Sequence, residues 1–100
     1  MKQYNGFRTQ TGAVVTVDGG PLDPRLDLRN HSPTGFEWGY GGSGPAQLAL
    51  AALADHLGDD AEALRLYQDF KFAVVAKLPH ESWTLSSEDI DDALRRLSIK

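Results

Sequence analysis

The sequence predicts a single α+β domain over residues 1–100, with a small antiparallel sheet packed against three helices. Three observations carry this reading. The first twenty residues hold two extended runs separated by glycine-containing turns. Residues 44–97 hold three segments with helical apolar spacing and cap signals. A run at Ser82-Trp83-Thr84-Leu85 lies between the last two and supplies a further strand.

In chain order, Gln3–Arg8 carries Tyr4 and Phe7, with Asn5-Gly6 interrupting the alternation. Thr9–Gly12 is turn-rich, and Ala13–Val17 is β-branched and closes at Asp18-Gly19-Gly20. Two such runs around a turn form an antiparallel hairpin. Asp18-Gly19 is a second turn signal, and Pro21-Leu22 is a candidate start for a short third strand. From Asp23 to Ser32, Pro24 and mixed charges read as loop, with Pro33 just beyond.

Residues 32–44 contain five glycines and the aromatics Phe36, Trp38 and Tyr40. Flexible linkers do not usually carry such rings. An ordered loop is expected, with glycines at positive φ and aromatics as anchors.

Gly44-Pro45 suits an N-cap followed by proline at the first helical position, with Gln47 two residues on. That helix runs to Leu57 and stops at Gly58. It is apolar almost all round from Ala46 to Ala54, so it should be central. Asp59 with Glu62 makes a capping-box pattern for a second helix. Its apolar face is Ala63, Leu66, Tyr67, Phe70 and Val74, and it ends before Pro79. Ser86 caps a last helix bearing Ile90, Leu94 and Leu97, with acids early and Arg95 and Arg96 late.

Composition excludes several classes. With 41% hydrophobic residues and a net charge of −4, global disorder is not expected. No window approaches the roughly 20 apolar residues of a membrane span. There are no cysteines, which excludes a disulfide scaffold and fits a reducing compartment. The opening residues lack the apolar stretch of a secretory signal. A cytoplasmic protein is the expectation.

Charge is uneven. Residues 1–43 carry four basic and four acidic groups, and residues 44–100 carry six and ten. The helical half would therefore meet nucleic acid with mild repulsion. A helix-turn-helix through Gly58 would present Asp59, Asp60 and Glu62 to phosphates, which is the wrong sign for a recognition helix.

Motif by motif, catalysis finds little support. Gly39-x-Gly41-x-x-Gly44 matches a dinucleotide fingerprint literally, but no parallel strand follows its helix. A looser anion nest at the amides of Gly41–Gly44 stays open, beside a tight loop crossing the sheet. Gly41-Gly42-Ser43-Gly44-Pro45 approaches a nucleophile elbow, but Pro45 replaces the last glycine and no histidine is placed as its base. No metal-ligand spacing and no cofactor motif appear. In an extended stretch Phe36, Trp38 and Tyr40 would share one side, either roofing the core or forming a binding surface, with Glu37 facing away. The candidate binding residues are Phe36, Glu37, Trp38, Tyr40, Gly41, Gly42, Ser43, Gly44 and Gln47.

The run Gly35-Phe36-Glu37-Trp38-Gly39-Tyr40-Gly41-Gly42-Ser43-Gly44-Pro45-Ala46-Gln47-Leu48-Ala49 carries a resemblance. So do Tyr67-Gln68-Asp69-Phe70-Lys71 and Leu78-Pro79 followed by Trp83-x-Leu85. The chain resembles a domain-of-unknown-function family of about 100 residues found in phages, plasmids and bacterial integrative elements, whose motif is F-x-W-G-Y-x-G-S-G-P. The resemblance implies a mobile-element accessory protein in a bacterial cytoplasm. The function expected is non-enzymatic binding of a host protein, for example to inhibit a defence, or of a small anionic ligand. The alternatives are a nucleic-acid-associated transcriptional regulator and a small enzyme.

Overall fold

Strand β1 (Gln3–Thr9) and strand β2 (Gly12–Val17) form the expected hairpin. Tyr4 stands opposite Val17, Gly6 opposite Val15 and Arg8 opposite Ala13. The computed structural model that shows this describes residues 2–98. Asp18 and Gly19 both take positive φ, 49° and 84°, as an Asp-Gly hairpin turn requires. They lead into β3 (Gly20–Pro21), one residue earlier than the Pro21-Leu22 start read from the sequence. Leu22 is instead a buried core residue.

β4 (Trp83–Ser86) pairs antiparallel with the free side of β1, with Trp83 opposite Gly6 and Leu85 opposite Tyr4. The sheet order is β3-β2-β1-β4, so the Trp83 strand is an edge. The two-residue period puts Tyr4, Gly6, Arg8, Val15, Val17, Trp83 and Leu85 on one face. That face holds the buried residues Tyr4, Val15 and Trp83, and Phe7 on the other face is exposed.

Helix α1 (Ser43–Leu57) is the centre of the core, with every residue from Gly44 to Ala54 buried. Its start differs from the sequence reading. Gly42, not Gly44, is the N-cap, and Pro45 falls at the third helical position. Proline is tolerated there because the first-turn N–H groups have no intrahelical acceptor. The helix ends as expected at Gly58, at φ 63°, whose N–H bonds the Ala54 carbonyl.

Helix α2 (Asp60–Ala73) begins at the Asp59 cap, whose carboxylate accepts the Glu62 N–H at 3.1 Å. A short 3-10 turn, Val75–Lys77, carries the chain on to Pro79. Helix α3 (Ser87–Ser98) is capped reciprocally. The Asp89 N–H donates to Ser86 Oγ at 3.0 Å, and the Ser86 N–H donates to the Asp89 carboxylate at 2.9 Å. Among the described residues the result is an α+β fold with a four-stranded antiparallel sheet and three α-helices.

Candidate functional site

The glycine-rich segment divides into a buried half and an exposed half. Phe36, Glu37 and Trp38 have no regular secondary structure. Trp38 is 1% exposed and Tyr40 is 53% exposed, so the aromatics do not share one side as the alternation suggested. The chain turns between them at Gly39, whose φ is 89° and whose N–H donates to the Val75 carbonyl.

Trp38 is anchored from three directions. Its Nε1 donates to the His80 carbonyl at 3.0 Å. Its ring meets Trp83 edge-on, with centroids 5.5 Å apart. The Arg8 guanidinium lies 4.6 Å from its ring centroid. Arg8 also donates to the His80 carbonyl at 2.7 Å and pairs with Glu37 at 3.0 Å. The hydrogen bond from Arg8 holds the Glu37 carboxyl below its ordinary pKa, against the smaller upward push of burial. Phe36 is half-buried against the core and, with Glu37, borders a surface depression of about 210 Å³. These contacts fix the entry to α1.

Gln47 is wholly buried, and its amide is fully used. The side-chain oxygen accepts the N–H groups of His31 and Ser32 at 2.8 and 3.1 Å. The side-chain nitrogen donates to the carbonyls of Pro24 and Arg29 at 2.6 and 3.1 Å. Gln47 is thus the peg that holds the 24–32 loop on α1, and no polar valence is left for a ligand.

The exposed half is Tyr40, Gly41, Gly42 and Ser43. Gly41 and Gly42 do not take the positive φ expected of them; Gly42 sits at φ −101°. Their lack of a side chain serves close approach instead. A Cβ on Gly42 would stand 2.5 Å from the Tyr40 ring, and one on Gly41 would stand 3.0 Å from the Phe72 ring. Gly44, buried in the first turn, makes room in the same way for Glu37.

Phe72 and Lys71 flank this knuckle, and neither is among the candidate binding residues read from the sequence. Phe72 is 59% exposed, and the Lys71 ammonium lies 4.2 Å from its ring centroid. A signal for Phe72 was present: it falls off the Ala63-Leu66-Tyr67-Phe70 stripe, leaving an aromatic with no core position to fill.

Among the described residues, no three His, Asp or Glu side chains gather as metal ligands. No helix there is long and apolar enough to cross a membrane. No curated protein and no solved structure matches the chain. One family profile does, over residues 4–96, and by it the chain belongs to DUF6166, a family of unknown function.

Proposed function

We propose that this chain is a non-enzymatic binding module of a phage or other mobile element. In this reading it acts in the cytoplasm of a bacterial host, on a host protein such as a defence factor or on a small anionic ligand. Its working surface is the knuckle of Tyr40, Gly41, Gly42 and Ser43 with Phe72. Phe36, Glu37, Trp38, Gly44 and Gln47 hold that knuckle in place. The observation that carries the reading is that two large rings, 53% and 59% exposed, lie against the neighbouring glycines Gly42 and Gly41, with a buried scaffold beneath. Rigid, exposed aromatics of this kind make binding hot spots. The family resemblance supports the mobile-element origin.

The histidines lend no support to an enzyme. His31 meets the Tyr67 hydroxyl, His56 meets Asp91, and His80 meets Arg8, each in a different part of the fold. None is joined to Ser43 by a hydrogen bond.

The test is photo-cross-linking in a bacterial host. A benzophenone amino acid at position 40 should yield a discrete adduct that disappears with Phe72→Asp. The same group at exposed Gln68 should yield none. No adduct at position 40, or equal labelling at both positions, overturns the proposal.

A further inference from the structure

The ends of α2 and α3 border a cavity of about 270 Å³. The end of α2 and the turn after it supply Ala73, Val74 and Lys77 to its lining, and α3 supplies Ala93, Arg96 and Leu97. Each wall thus brings an alanine, a larger aliphatic residue and a cation. On α3 the three fall at i, i+3 and i+4, which is one helix face. On the other wall Val74 ends α2, and the 3-10 turn carries the chain on to Lys77. With alanine on both walls, the side chains leave the space between the two elements unfilled.

The cavity is apolar below and cationic at its rim. Val74, Ala93 and Leu97 are half-buried against the core, whereas Lys77 and Arg96 are exposed. Neither cation has a partner. Among the described residues their side chains make no ion pair and no hydrogen bond. Asp92, one turn before Arg96, pairs with Arg95 instead. No acidic side chain lines the cavity. The surrounding half of the chain has the opposite balance, with ten acidic and six basic groups in residues 44–100. Cations near helix C-termini complement the macrodipole, which accounts for the sign of each. It does not account for two of them bordering one apolar, acid-free cavity.

The lining selects a class of ligand. Two cations on one rim repel each other, and an anion between them relieves the repulsion. A guanidinium holds a carboxylate through two parallel N–H donors, and an ammonium adds a further charge-assisted bond. The aliphatic lining beneath gains by covering an apolar body. The negative ends of α2 and α3 lie at the same place and disfavour a doubly charged phosphate. The volume falls just below the range of about 300–1,000 Å³ common for ligand pockets, which suits a small acid and not a nucleotide.

We infer that this cavity binds a small aliphatic monocarboxylate, the class of a medium-chain fatty acid. Arg96 and Lys77 hold the carboxylate, and the chain lies on Val74, Ala93 and Leu97. The site is separate from the Tyr40 knuckle and does not depend on it.

The experiment titrates the full chain, labelled with ¹⁵N, with octanoate. Octylammonium and 1-octanol serve as the charge-reversed and uncharged matches. Octanoate should move the amide signals of Val74, Ala93 and Leu97 and leave those of Gly41 to Gly44 in place. It should bind about tenfold tighter than either match, as a charge-assisted pair allows. Lys77→Met and Arg96→Met, both at exposed positions, should each weaken octanoate by about tenfold without lowering the thermal midpoint. Ala93→Leu should fill the cavity and abolish binding. Ala73→Leu, at an exposed residue, makes the same test if Ala93→Leu fails to fold. No shift at millimolar octanoate overturns the site, as does equal binding of 1-octanol, movement at Gly41 to Gly44 instead, or undiminished binding in a folded leucine variant. Wild-type affinity in both methionine variants overturns the carboxylate subsite. Three results give the cavity another occupant and overturn the small-acid reading. The first is an acidic, leucine-containing peptide that binds where octanoate does not. The second is a dimer that Ala93→Leu dissolves. The third is an octanoate affinity that rises about tenfold when residues 99–100 are removed, which assigns the cavity to the chain's own end.

Discussion

The Trp83 indole lies across Gly6, so that a Cβ at Gly6 would stand 2.2 Å from the ring. The two residues are cross-strand partners on β1 and β4, and both face the core. Gly6 is not at positive φ, so the ring and not the backbone demands glycine there. The ring cannot yield easily, since it is 8% exposed and meets Trp38 edge-on. Gly6→Ala should therefore destabilise the domain by about 1–3 kcal/mol through overpacking. Urea unfolding followed by tryptophan fluorescence measures it. An unchanged midpoint would mean that the ring moves freely.

Gln47→Leu keeps the volume of the side chain and removes its four hydrogen bonds. The N–H groups of His31 and Ser32 and the carbonyls of Pro24 and Arg29 lose their partner. Each unsatisfied buried group costs about 1–3 kcal/mol. Water can reach the loop once it lifts, so the total should stay near 2–4 kcal/mol rather than the sum. Hydrogen exchange should show His31 and Ser32 exposed far below the global unfolding energy. Protection equal to that of wild type would refute the peg.

Much of the fold was legible in local signals. Asp59, Ser86 and Gly58 act where their residue types placed them, whereas the Glu62 carboxylate pairs with Arg65 and leaves the capping box half made. The all-round apolar run of α1 announced its burial, because it left no polar face for solvent. The site was less legible, for a physical reason. Alternation in Phe36, Trp38 and Tyr40 predicts a shared face only in extended backbone, and the positive φ of Gly39 breaks it. Glycines in such a run suggest turns, whereas Gly41, Gly42 and Gly44 make room for Phe72, Tyr40 and Glu37. Nothing within residues 32–44 encodes that Phe72 lies beside Gly41. Likewise Gln47 looks like a first-turn polar residue until its four loop partners are seen.

Tyr4 gives the domain an alkaline limit. Its hydroxyl donates to Asp55 at 2.6 Å, where Lys2 also pairs at 3.1 Å. Burial, followed by the hydrogen bond to the Asp55 carboxylate, pushes the Tyr4 pKa well above its ordinary value of 10.0. The folded chain keeps a proton that the unfolded chain releases above about pH 10. This contribution is complete below that pH and falls as pH rises beyond it. Urea midpoints at pH 9, 10 and 11 should drop more steeply for wild type than for Tyr4→Phe. Parallel curves would remove Tyr4 from the alkaline response.

Trp38 and Tyr40 stand two residues apart and should behave oppositely on truncation. Trp38 is buried against Trp83 and under Arg8, and its Nε1 is bonded to the His80 carbonyl. Trp38→Ala should cost about 3–5 kcal/mol, as large-to-small changes at buried aromatics do. It should also loosen Arg8, which stacks on that ring and holds Glu37. Tyr40 is 53% exposed, and its ring lies against Gly42. Tyr40→Ala should change stability by no more than about 0.5 kcal/mol. If the knuckle binds, the same variant should lose about 2 kcal/mol or more of affinity, the signature of a hot spot. Thermal unfolding and ligand titration on the two variants separate scaffold from surface. A Tyr40→Ala protein as unstable as Trp38→Ala would show that both rings roof the core, and the knuckle would then lose its claim to be a binding surface.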